Sequence, residues 1–148
     1  MNRGVIRQAD EGDVARFVEL GLRFYAEEGG RRVDPRALAR FAFAQIGEPG
    51  RVLLAAKEPA AAFLAGMIAP HYLTGEPTAF KTAWYALPDA RGYGAHLLRA
   101  FEVWAKEMGA ARLIVAGRAP RTLALLERLQ FQPLETVYAK DLPWQKQQ

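Results

Sequence analysis

Between Thr78 and Gly109 an aromatic-rich strand runs into a proline, a glycine-cornered turn and a long one-sided helix, and this order limits the fold more than any other feature. Thr78 to Leu87 carries Phe80, Trp84 and Tyr85 together with Thr78 and Thr82, a composition suited to a pleated, half-buried surface. Alternation puts Phe80, Thr82, Trp84 and Ala86 on one face and Lys81, Ala83, Tyr85 and Leu87 on the other. Pro88 stops the strand. After Asp89-Ala90-Arg91-Gly92-Tyr93-Gly94, the residues Leu97, Leu98, Phe101, Trp104, Ala105 and Met108 share one side of a helix that Gly109 closes. Glycines between a strand and a helix let the backbone approach a ligand, and the first helical turn offers free N–H groups backed by the helix dipole. A pyrophosphate suits such a site, with Arg91 adding a charge-assisted contact. The same two glycines also suit an ordinary tight turn.

The remainder predicts the partners of this unit. Val5 to Ala9 reads as a first strand, and Asp10 caps a helix with Asp13 in the acidic position of a capping box. Val14, Phe17, Val18, Gly21, Leu22 and Tyr25 form its apolar face, and Glu27 to Arg32 is a turn. Asp34-Pro35 starts a second helix, since proline at the first helical position loses no needed hydrogen bond. Leu38, Phe41, Ala42 and Ile46 are its buried stripe, ended by Gly47 and Pro49-Gly50. Strands Arg51 to Lys57 and Ala60 to Ala69 flank a hairpin turn at Glu58-Pro59, and Thr74 to Pro77 is a further turn. Leu113 to Ala116 reads as a short buried strand, Pro120 to Leu129 as a helix and Glu135 to Lys140 as a last strand. The expected order is β-α-α-β-β-β-α-β-α-β, an α/β chain with a mixed sheet and helices on its faces.

Size and composition narrow the function classes. The 148 residues are expected to form a single domain, and a 51% hydrophobic content supports a buried core. Without cysteine the chain has no disulfide, thiolate zinc site or cysteine nucleophile, and two histidines make a metal site an unfavoured expectation. Pro59 to Pro70 is too short for a bilayer, which needs ~20 apolar residues. Met1-Asn2-Arg3-Gly4 leads into charge rather than a signal-peptide core, so a soluble, cytoplasmic protein with no membrane partner is expected. The net charge of +4 favours anionic partners. The basic residues are scattered, with Arg31-Arg32 the only adjacent arginine pair, and no aromatic-basic stripe indicates a nucleic acid.

Order and spacing carry a resemblance. Pro88-Asp89-Ala90-Arg91-Gly92-Tyr93-Gly94 followed by Leu97-Leu98-Arg99-Ala100-Phe101-Glu102-Val103-Trp104-Ala105 resembles the acyl-CoA-binding motif of the GNAT N-acetyltransferase superfamily. Leu125 to Leu134 is similar to that family's closing helix-strand segment, Val137 to Leu142 to its ending, and Ile6 to Asp13 to its opening. The likeness covers residues 4–142 in order. It implies a mostly antiparallel mixed sheet splayed between the strand Lys81 to Leu87 and its parallel neighbour Leu113 to Ala116, with helices on both faces. Acetyl-CoA is then the co-substrate, no metal is needed, and the acceptor is an amine on a small molecule or peptide. The pantetheine would pair with Trp84, Tyr85, Ala86 and Leu87, and the pyrophosphate would sit on Arg91, Gly92, Tyr93, Gly94 and Ala95. Arg118, Arg121 and Arg128 are candidates for the adenosine phosphate end, or ordinary surface charge. The strand Ala83-Trp84-Tyr85 and turn Ala90-Arg91-Gly92 are similar to those of phage-associated members, and homodimers are common in the family.

Departures from the family pattern are equally informative. With Leu97-Leu98 held in register, Gly92 and Gly94 take the glycine positions and Asp89 stands where arginine or glutamine is usual. The other register matches Arg91 and Gly94 and puts His96 at the second small position. Lys81 occupies the place of the family's glutamate base, Leu126 that of its tyrosine acid, and Gln130 that of a glycine before Phe131. His71 is a candidate base, with an ordinary pKa of about 6.5, and Tyr138 a candidate acid. The alternative expectation is a non-catalytic CoA-binding or accessory protein.

Overall fold

Asp10 opens the first helix because its carboxylate accepts the Gly12 N–H at 2.9 Å while Asp13 Oδ2 accepts the Asp10 N–H at 2.9 Å. This capping box starts a short 3-10 turn, Glu11–Asp13, that continues into helix α1, Val14–Glu27. The second helix, α2, Pro35–Gly47, begins as its sequence dictates: Asp34 accepts the Arg36 N–H at 2.9 Å and proline fills the first position. The computed structural model describes residues 6–27 and 32–143. Met1 to Gly4, Val5 of the first strand, Arg31 of the arginine pair and residues 28–31 of the expected turn lie outside the described residues.

The chain divides into two compact units, residues 1–116 and 117–148. The first unit is built on a five-stranded sheet in chain order: β1 Ile6–Gln8, β2 Arg51–Ala56, β3 Ala62–Pro70, β4 Pro77–Ala86 and β5 Arg112–Ile114. Neighbours are antiparallel except β4 and β5, which are parallel. Helices α1 and α2 cover one face, where Phe17, Leu20 and Ala42 pack with Leu53, Ala55, Phe63 and Ala65. Phe17 stacks on Phe41 at 5.8 Å and meets Phe63 edge-on at 5.3 Å. Helix α3, Tyr93–Glu107, covers the other face with Leu97, Leu98 and Phe101 fully buried. Gly66 of β3 permits this approach, because a Cβ there would run into the Phe101 ring.

Arg7 of β1 ties three elements together. It donates to both Asp13 carboxylate oxygens, at 2.7 and 2.9 Å, and to the Lys57 carbonyl at 2.9 Å. The hydrogen bonds from Arg7 hold the buried Asp13 carboxyl below its ordinary value of 3.8. The β2–β3 connection is thereby fixed to the start of α1.

Strand β4 departs from simple alternation. Ala65 pairs with Ala83 and Gly66 with Lys81, so Thr82 is an extra, bulged residue. Beyond the bulge, Ala83 and Tyr85 share the α1–α2 face with Ala65 and Phe63, whereas Trp84 lies beside Gly94 of α3. Lys81 therefore loses its expected phase with Ala83 and Tyr85, and Trp84 its phase with Phe80: one inserted residue reverses every face after it.

The second unit contains α4, Pro120–Arg128, with Leu126 buried. Gln130 takes a left-handed φ of 69°, and the Phe131 N–H closes the helix end on the Leu126 carbonyl at 2.9 Å. The strand expected over Glu135 to Lys140 is not formed: residues 131–143 contain neither helix nor strand. Val137 and Tyr138 are 81% and 90% exposed, and β propensity without a hydrogen-bonded neighbour does not make a strand. No helix among the described residues is long and apolar enough to cross a membrane.

Candidate functional site

The site begins where the sheet comes apart. β5 pairs with β4 only at Thr78↔Arg112, Ala79↔Leu113 and Phe80↔Ile114. From Lys81 to Ala86 the edge of β4 away from β3 has no strand partner among the described residues. Leu87 N–H donates to the Ala61 carbonyl at 3.0 Å, toward β3. By the two-residue alternation of an antiparallel strand, Tyr85 also faces β3 while the Trp84 and Ala86 N–H groups point to the open edge. Of the four residues expected to pair with a ligand, the available amides are thus at Trp84 and Ala86.

Beyond the open edge, Pro88–Ala90 forms one 3-10 turn and α3 starts at Tyr93, with Gly92 at its N-cap and no side chain capping it. The Gly94 N–H is taken by the Arg91 carbonyl at 3.0 Å, so it is not among the free donors. Gly92 has a helical φ of −60°, and a Cβ added there would meet nothing within 4 Å. Neither backbone conformation nor packing within the chain calls for glycine at that position, so it leaves room for something outside the chain. Arg91 is exposed, while Tyr93 and Ala95 are half-buried.

Lys57 completes the picture and was not legible in the sequence. Its ammonium lies 6.0 Å from the Tyr93 ring centroid, which places a cation beside the first turn of α3. Arg7 holds the Lys57 backbone there. A helix N-terminus with an added cation is a place for an anion.

The remaining candidates belong to other segments of the chain. His71, just past β3, uses Nδ1 to accept the Leu73 N–H at 3.1 Å and the Thr74 N–H at 3.4 Å, and it stacks on Tyr72 at 4.6 Å. That nitrogen holds a turn. Arg118, Arg121, Arg128 and Tyr138 are exposed residues of the second unit, and Leu126 is buried in it.

On the α1–α2 side, a pocket of about 370 Å³ opens against β4. Phe17, Phe24, Tyr25, Phe41 and Phe63 from the helices and β3 form its walls, and Lys81 to Tyr85 border it along the unpaired edge. The turn from Pro70 to Pro77 does not contribute to this lining. Lys81 is half-buried, and desolvation pushes its ammonium below the ordinary lysine value. Tyr85 Oη donates to Glu27 Oε1 at 3.2 Å, and burial together with that carboxylate pushes the phenol up.

No family model and no curated protein matches the chain. Solved structures do match its fold. A predicted acetyltransferase from Clostridium acetobutylicum, solved with acetyl-CoA, is 21% identical with a TM-score of 0.74, over 92% of this chain and 94% of that one. An aminoglycoside antibiotic 6'-N-acetyltransferase from Acinetobacter haemolyticus is 23% identical with a TM-score of 0.71, over 97% and 100% of the two chains. A protein named as a transcriptional regulator from Bacillus halodurans is 22% identical with a TM-score of 0.77, over 93% and 98%. The chain has the mixed, forked-sheet fold of GNAT acetyltransferases.

Proposed function

We propose that the chain is an acyl-CoA-dependent N-acyltransferase that moves an acetyl group from acetyl-CoA to an amine. The observation that carries this reading is the half-laddered β4, whose open edge leads directly to the uncapped start of α3. The pieces fit the co-substrate by their chemistry. Outward amides at Trp84 and Ala86 match the amide-bearing pantetheine, and Gly92, the first turn of α3 and the Lys57 ammonium match its pyrophosphate. One domain over residues 1–148 is part of this proposal.

Acetyl-CoA supplies an acetyl group already activated as a thioester. The neutral acceptor amine attacks the thioester carbonyl; the N–C bond forms, the C–S bond breaks, the attacking nitrogen gives up one proton to solvent, and the departing thiolate takes one up. The Trp84 or Ala86 N–H polarises the carbonyl oxygen as negative charge develops on it. Binding both reactants against one strand edge supplies orientation. Neither Lys81 nor Leu126 is the carboxylate base or phenolic acid that the resemblance implies at those places, so solvent carries the protons.

Acetyl-CoA at a hundredfold excess over its dissociation constant should stabilise the fold by about 2.7 kcal/mol, read as a rise in melting temperature. Gly92→Val should abolish that rise while leaving the unliganded melting temperature within a degree or two. A folded protein with no shift at millimolar acetyl-CoA would overturn the reading.

The substitutions at Lys81 and Leu126 favour a second reading, a CoA-binding protein without turnover. It predicts the same melting shift with no thiol release against any amine. Specific acetylation of one acceptor removes it.

A further inference from the structure

Lys81 is the first residue of β4 beyond the last rung shared with β5, Phe80↔Ile114, so it stands at the apex of the fork. Its register partner is Gly66, and a Cβ on Gly66 would run into the Phe101 ring, so residue 81 lies on the α3 face of the sheet. Trp84, beyond the bulge, is on the same face beside Gly94. Lys81 is half-buried, and among the described residues it makes no ion pair and no side-chain hydrogen bond. Desolvation favours its neutral amine, the form that attacks a carbonyl.

The path expected of the thioester carrier brings its reactive end to this apex. Anchored by its pyrophosphate at Gly92 and the first turn of α3, the carrier would run back along the open edge of β4 past Ala86 and Trp84. Its far end, the thioester, then points toward Lys81. Lys57, beside Tyr93, belongs to the opposite, phosphate end of the same track. One lysine meets a phosphate, and the other an acyl carbon.

Resting on the acyltransfer reading, we infer that Lys81 is itself an acetyl acceptor, a self-modification site that takes one acetyl group from acetyl-CoA bound to the same chain. The neutral Nζ attacks the thioester carbonyl; the Nζ–C bond forms and the C–S bond breaks. The attacking nitrogen gives up one proton to solvent, and the departing thiolate takes one up. The product, acetyl-lysine, is uncharged, which relieves the penalty on a half-buried ammonium. Lysine at this position, where the resemblance places a carboxylate base, is thus a substrate in place of a base.

The test is intact-mass and peptide mass spectrometry of the wild-type chain incubated with acetyl-CoA and no amine. One acetyl group per chain is expected on Lys81, with one equivalent of thiol released. Lys106 is the internal control, because it is exposed and paired with Glu102 at 3.5 Å and reacts only by unguided chemistry. Lys81 should be modified at least about tenfold faster than Lys106, since a held geometry adds to its reactivity. Excess CoA should suppress the reaction at Lys81 and leave Lys106 unchanged. Lys81→Arg should lose the rapid mass gain while keeping the melting shift with acetyl-CoA. A melting shift with Lys81 unmodified, modification no faster than at Lys106, or modification that excess CoA does not suppress overturns the inference and leaves the acyltransfer reading standing. Absence of any acetyl-CoA shift in the folded wild type overturns both.

Discussion

The two edges of β4 teach different lessons. Toward β3 the strand is paired from Pro77 to Ala86, interrupted only by the bulge at Thr82, and it backs onto buried aromatic packing. Toward β5 it is paired only from Thr78 to Phe80 and then stands open. The first edge spends its hydrogen bonds on the fold, and the second is open to the ligand proposed above. Stability and function are thus divided between opposite sides of one strand, and substitutions on the two sides should have distinct signatures.

The largest loss is expected on the paired side. Phe101 is fully buried against Gly66, so Phe101→Ala should cost about 3–5 kcal/mol in denaturant unfolding. A loss under about 1 kcal/mol would mean that α3 does not depend on this packing and would break the contrast. Next comes the clamp that fixes the β2–β3 connection. Asp13→Ala removes both hydrogen bonds from Arg7 and the capping contact, and should cost about 2–3 kcal/mol. The Asp13 carboxyl titrates below 3.8 in the fold, so its contribution is complete above that value and is lost as pH falls through the folded value. Acid titration of stability should therefore be steeper below about pH 4 in the wild type than in Asp13→Ala. The smallest effect belongs to the site side: Tyr85→Phe removes one exposed hydrogen bond to Glu27 and should change stability by less than about 0.5 kcal/mol.

The local signals in the chain read well because their causes are local. Asp10 with Asp13, and Asp34 with Pro35, are complete capping statements within a few residues, and both helices start there. The glycine-cornered turn before α3 is equally local, which is why Arg91 to Ala95 could be placed at a helix start. Features that need a distant partner did not read. Thr82 carries no mark of a bulge, because the extra residue exists only relative to Ala65 and Gly66. The segment from Glu135 to Lys140 looks like a strand by composition, yet strand formation depends on a neighbour's backbone. Lys57 sits in a hairpin connection far along the chain from Tyr93, and the fold brings the two together, with Arg7 holding the Lys57 backbone. His71, a candidate base by its chemistry, uses Nδ1 to accept the amides of the turn that follows it, a contact the sequence does not announce. Gln130 shows the opposite case, a left-handed helix end formed without the usual glycine.

Amide hydrogen exchange along β4, with and without acetyl-CoA, tests the division most directly. Saturating acetyl-CoA should slow exchange at Trp84 and Ala86, whose amides face the open edge, and should leave Leu87, already bonded to Ala61, little changed. Unaltered exchange at Trp84 and Ala86 in a folded, saturated sample would contradict the assignment of that edge to the thioester carrier.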